Sequence, residues 1–114
     1  MSQFILLLHS RATAPATMSA AEAQNIVKRY TDWSQEMGQA GKLAGGNKLT
    51  ADNGKVMRGA DGAVTDGPHG QAEEVIGGYF IVEANDYDSA VGIAKSCPHL
   101  AFGGSIEVRQ IDAM

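Results

Sequence analysis

The stretch "VTDGPHGQAEEVIGG", residues 64–78, sets Asp66 three residues before His69 across a Gly-Pro step. A carboxylate at that spacing can orient an imidazole, and an imidazole with an unperturbed pKa near 6.5 works as acid or base at neutral pH. The same residues also make a turn. Asp66 ahead of Gly67 and Pro68 suits an Asx-turn, in which the carboxylate takes backbone N–H groups, and Pro68 keeps Gly67 out of the helical region. The two roles are compatible, so Asp66 and His69 are the candidate catalytic couple. Four more residues are candidates for holding a ligand: His9 at the end of an apolar run, the phenols of Tyr30 and Tyr79, and Arg109, whose planar fork grips a carboxylate or an enolate. Plainer roles stand beside these. His9 also reads as a histidine at a core edge, Arg109 as an ion pair with Glu107 across strands or across subunits, and His99 as completing a helix stop or hydrogen-bonding a helix carbonyl.

Other chemistries lack their residues. His9, His69 and His99 lie far apart, with no H-x-H or C-x-x-C pattern to suggest a metal. "GKLAGGNK" has glycines and lysines without phosphate-loop spacing, and nothing in the chain calls for a cofactor. Cys97, at a helix end, reads as a packing residue.

These residues need elements to position them. "QFILLLH" (3–9) is an apolar run of strand length, as a central strand requires. Ser19 and Glu22 form a capping-box pattern ahead of Ile26, Val27, Tyr30, Trp33 and Met37 at helical spacing, with Gly38 and Gly41 as stops. "KLAGGNKL" predicts a second strand bent or bulged at Gly45 and Gly46, and "KVMRGADGAVTD" a hairpin turning near Asp61 and Gly62. "GGYFIVEA" alternates as a strand, with Phe80, Val82 and Ala84 on one face and Tyr79, Ile81 and Glu83 on the other. Asp86 caps a helix whose apolar side is Ala90, Val91, Ile93, Ala94 and Cys97, with Gly92 admitting a close neighbour. Pro98 ends that helix, and "SIEVRQI" is a last strand with Ile106 and Val108 inward. The order predicts an α+β fold, a ferredoxin-like βαββαβ plait with an inserted hairpin, in one domain over 1–114.

Composition sets the outer limits. A chain of 114 residues has a core but little room for an internal cavity, so a deep pocket is expected to need a second subunit as a wall. The net charge of -4 and scattered basic residues argue against nucleic acid as a partner, and no apolar stretch suits a membrane span. "MSQFILLLHS" reads as a strand, not a signal peptide, and one cysteine points to the cytoplasm. Two helices cover only one sheet face. The other, with Gln3, Ile5, Leu7, His9, Tyr79, Ile81, Glu83, Glu107 and Arg109, is expected to meet a second copy in a homodimer around a partly hydrated cavity.

The motifs "TDGP" (65–68), "GGYFI" (77–81), "CPHL" (97–100) and "GGSIEVR" (103–109), in this order, resemble the DGPF subgroup of the YCII-related family, closely over 64–111 and more loosely over the first strand and long helix. The resemblance implies the dimeric α+β barrel superfamily, whose members include lactone isomerases, dehydrochlorinases, monooxygenases and proteins without known activity. In other YCII-like proteins a histidine on the first helix pairs with an aspartate as an acid–base couple. Tyr30 stands at that place here, and His69 stands where the subgroup shows Phe. Two functions are expected: proton transfer, isomerase- or lyase-like, on a small carboxylated or phenolic ligand, or a non-catalytic ligand-binding or regulatory module, with a transcription partner among its possible targets.

Overall fold

In the computed structural model, which describes residues 1–11, 19–52, 54–67 and 74–113, the first apolar run forms β1 (Ser2–Arg11). Phe4, Leu6 and Leu8 are buried while Ile5, Leu7 and His9 are half-buried, the period of two that a strand imposes. Helix α1 (Ala20–Gln39) starts where Ser19 Oγ accepts the Glu22 N–H at 3.1 Å. It ends at Gly41, whose φ of +72° lets Lys42 N–H reach back to Met37 O and Gly41 N–H to Gly38 O, a Schellman closure.

Strand β2 (Leu43–Lys48) carries the expected irregularity, a register shift between Leu43 and Gly45. The hairpin β3 (Lys55–Arg58) and β4 (Ala63–Asp66) turns over 59–62, with Gly59 and Gly62 both at positive φ. β5 (Glu74–Ala84) leads to α2 (Tyr87–Lys95), capped by Asp86, whose side chain accepts the Ser89 N–H at 2.8 Å. That bond holds the Asp86 carboxyl below its ordinary pKa. A 3₁₀ turn (Pro98–Phe102) and β6 (Ser105–Gln110) complete the chain.

The main sheet is antiparallel in the order β2-β5-β1-β6, the ferredoxin-like plait, and β3–β4 forms a separate two-stranded sheet inserted in it. Phe4, Leu6, Val82 and Ala84 from the sheet share one core with Trp33 and Met37 of α1 and Ala90, Ile93 and Ala94 of α2, so both helices cover the same sheet face. Phe4, Leu6 and Val82 are sealed from water, each contributing roughly 1.5–3 kcal/mol by burial. Two expectations for α2 fail. Val91 is 37% exposed and no atom lies within 4 Å of the place a Gly92 side chain would take, because both positions turn away from the shared core. Among the described residues no helix is long and apolar enough to cross a membrane.

Candidate functional site

Glycines make the site. On the helix-facing side of β2 and β5 the sheet lacks side chains at Gly46 and Gly78; Gly46 has no room for one, and at Gly78 one would be tight. A Cβ on Gly46 would sit 2.6 Å from the Phe80 ring and 2.7 Å from the Tyr79 carbonyl oxygen, and one on Gly78 would sit 3.0 Å from the Asn47 carbonyl oxygen. Helix α1 therefore spans a floor that is partly bare backbone, leaving a groove of about 740 Å³. Leu8 and Phe80 line the floor, Ile26, Tyr30 and Ser34 the roof, and His99 and Phe102 one end. A cavity of this size, mostly apolar with a few polar groups, is what small-molecule sites look like.

The polar feature of that end is a chain of two hydrogen bonds. His99 Nε2 lies 2.8 Å from the His9 carbonyl oxygen, which can only accept, so Nε2 carries the proton. In the neutral imidazole this leaves the Nδ1 lone pair free, and it accepts the Tyr30 hydroxyl at 2.8 Å. His99 is 7% exposed, the one buried polar or charged residue among those described. Its seat depends on Gly104, where a Cβ would fall 2.1 Å from Nε2. The left-handed Gly103, φ +85°, closes the 3₁₀ turn just before it. Burial, reinforced by the nearby Cys97 thiol and only partly offset by Arg29, pushes the Tyr30 phenol up to about 12, so the hydroxyl stays protonated. Arg29 lies 4.9 Å over the Phe102 ring at the same end.

The opposite sheet face holds a second polar group. His9 Nε2 meets Glu107 Oε1 at 3.1 Å, and Glu107 Oε2 lies 3.7 Å from Arg109. Arg109 and Glu107 thus pair along one strand, not across strands, because residues two apart share a face; Leu7 stands directly opposite Glu107 on β1, and His9, two residues further along β1, reaches Glu107 diagonally.

The candidate residues consequently separate. Tyr30 and Tyr79 are among the residues bordering the groove, but Tyr79 alternates with Phe80, so its ring belongs to the opposite sheet face with Leu7, where its hydroxyl accepts from Asn47 at 3.0 Å. His9 touches the site through its backbone carbonyl while its ring lies with Glu107. Arg109 is away from the groove. Asp66, at the end of β4, forms an ion pair with Lys55 and is 80% exposed, also away from it. His69 and Pro68 lie outside the described residues. The groove itself lies on the helix-covered side and forms within one chain, whereas the sequence suggests a cavity on the open face walled by a second subunit. A bare glycine floor under a helix creates space without one. His99 is the groove residue that sequence reasoning did not pick as a candidate. Its signal was the pair Gly103-Gly104 four and five residues on, where the second glycine is needed for contact with His99 and not for an unusual φ. Among the described residues no three His, Cys, Asp or Glu side chains gather as a metal site.

A ferredoxin-like plait with a groove between its first helix and its sheet defines a class of small α+β domain. Within it, the chain belongs to the YCII-related domain family, whose model matches residues 4–114. A comparison with curated proteins returns no match.

Proposed function

We propose that the protein binds a small carboxylated or phenolic compound in the groove under α1, and that Tyr30 and His99 transfer a proton on it in isomerase- or lyase-like chemistry. The observation that carries this is the 2.8 Å Tyr30–His99 hydrogen bond at the end of an otherwise apolar groove. The ligand's acidic proton, from an O–H or from carbon beside a carbonyl, passes to the Tyr30 oxygen as the Tyr30 hydroxyl proton passes to His99 Nδ1. The electron pair of the broken bond stays on the ligand as a phenolate or enolate. His99 becomes an imidazolium whose Nε2–H the His9 carbonyl holds, and returning the proton to another ligand atom completes an isomerisation. The raised Tyr30 pKa favours a phenol that relays the proton over one that keeps the charge. In this proposal the proton-transfer role moves from Asp66 and His69 to Tyr30 and His99.

Binding without turnover is the second reading. It is favoured by the absence of any carboxylate among the described residues that line the groove. A thermal-shift screen of small carboxylates and phenols, followed by turnover assays, separates the two. The expected result is a ligand that stabilises both the parent and Tyr30→Phe but is converted about a hundredfold more slowly by the variant, the scale of a lost acid–base group. Equal conversion by Tyr30→Phe overturns the relay, and hits that are bound but never converted establish the binding module.

Three wider assignments complete the proposal. "TDGP" at 65–68 supports the DGPF subgroup. The single cysteine, Cys97, buried as a free thiol, supports the cytoplasm. The half-buried apolar residues Ile5, Leu7 and Ile81 on the uncovered sheet face support a homodimer.

A further inference from the structure

The groove has one formal charge among its described lining residues, Lys48. Lys28 is paired with Asp32, Lys55 with Asp66, and Arg29 stacks on Phe102, but Lys48 has no ion-pair or hydrogen-bond partner among the described residues. Its direction follows from the strand. Gly46, two residues earlier, turns its absent side chain toward Phe80 on the helix-covered side, and residues two apart share a face, so Lys48 projects along the groove.

Its distance from the proton relay also follows from the pairing. Lys48 is opposite Gly78 on β5, and Gly78 is opposite Leu8 on β1, the residue before the His9 carbonyl that anchors His99. Lys48 and the relay are thus two strand spacings apart, roughly 10 Å. Between them lie the backbone of Gly78, the Phe80 ring and Leu8, a surface apolar in its middle. A cation at one end, an apolar slab and a polar relay at the other end describe the complement of a planar acid.

We propose that Lys48 is the anion anchor of the groove and that its ligands are planar ring systems bearing a carboxylate, held with the acid group at Lys48 and the ring body over Gly78 toward Tyr30. This rests on the groove being the ligand site, though not on proton transfer taking place there. The attraction between an ammonium and a carboxylate selects the acid over neutral compounds of the same shape, while the slab supplies contact area common to both.

Calorimetric titration of the full chain with 2-naphthoate and its neutral isostere 2-naphthamide tests it. The parent is expected to bind the acid about fivefold more tightly than the amide, the upper end for an ion pair open to water. Lys48→Met should erase that ratio and leave amide binding unchanged, and Lys48→Arg should restore it. Ser34→Phe, which fills the groove from the roof, should weaken both probes. Equal binding of the two probes by the parent, or an unchanged ratio in Lys48→Met, overturns the anchor; if Ser34→Phe still weakens both, the groove stands without it. Failure of both probes to bind the parent, or binding indifferent to Ser34→Phe, overturns the groove as the ligand site and the anchor with it.

Discussion

The two faces of the main sheet are built from alternate residues of the same strands and have opposite characters. On the helix-covered side Phe4, Leu6 and Val82 are sealed, and at Gly46 and Gly78 the floor carries no side chains. On the other side Ile5, Leu7, His9, Tyr79, Ile81 and Glu83 are half-buried and Gln3, Glu107 and Arg109 exposed, and an ionic string runs from His9 through Glu107 to Arg109. One face shows how a site arises by omission: take two side chains from a packed layer and a groove appears. The other shows apolar residues set close to charges, a mixture unlike a dry core. The difference decides what a substitution does on each side.

The largest effect is expected under α1. Trp33 is 5% exposed, packs edge-on against Phe80 with ring centres 4.8 Å apart, and donates its Nε1–H to Ser96 Oγ at 2.8 Å. Trp33→Ala should lower stability by roughly 3–5 kcal/mol in urea unfolding, through the cavity and the lost bond. A loss below about 1 kcal/mol would mean the covered face is not the packed one. Next in size is Gly104→Ala, which drives a methyl into His99 and should cost about 1–3 kcal/mol as the ring leaves its two partners. The same variant should lose the Tyr30–His99 bond, seen as a shifted imidazole signal by NMR. An unchanged signal with unchanged stability shows that His99 is seated some other way. The smallest effect on the subunit itself belongs to the open face. Ile81→Glu should change subunit stability by about 1 kcal/mol or less, yet convert a dimeric parent to a monomer in sedimentation, since each subunit of a stable pair gives up on the order of 800 Å² there. A parent that sediments as a monomer at micromolar concentration removes the paired-sheet assembly and leaves that face as plain surface.

What the sequence determined by itself was local. The Ser19 cap, the Asp86 cap, the glycine stop at Gly41, the turn between Gly59 and Gly62, and the alternation that puts Phe80 and Val82 on one face all depend on residues within a few positions of one another. Their physics is short-ranged: a cap is one hydrogen bond, and a strand's period is a property of its own backbone. The strand order followed too, since a plait has few ways to join such elements. What only the tertiary structure decided was where chemistry gathers. Tyr30 and His99 are 69 residues apart, and the histidine rests on a carbonyl 90 residues before it. Gly46 and Gly78 form one floor because β2 pairs with β5 in a particular register. Asp66 carries a suggestive motif, yet the hairpin that bears it pairs the carboxylate with Lys55, outside the groove. Motifs show which groups a chain has, whereas a groove is made by side chains that are missing and by contacts between distant segments, and neither leaves a periodic trace in sequence.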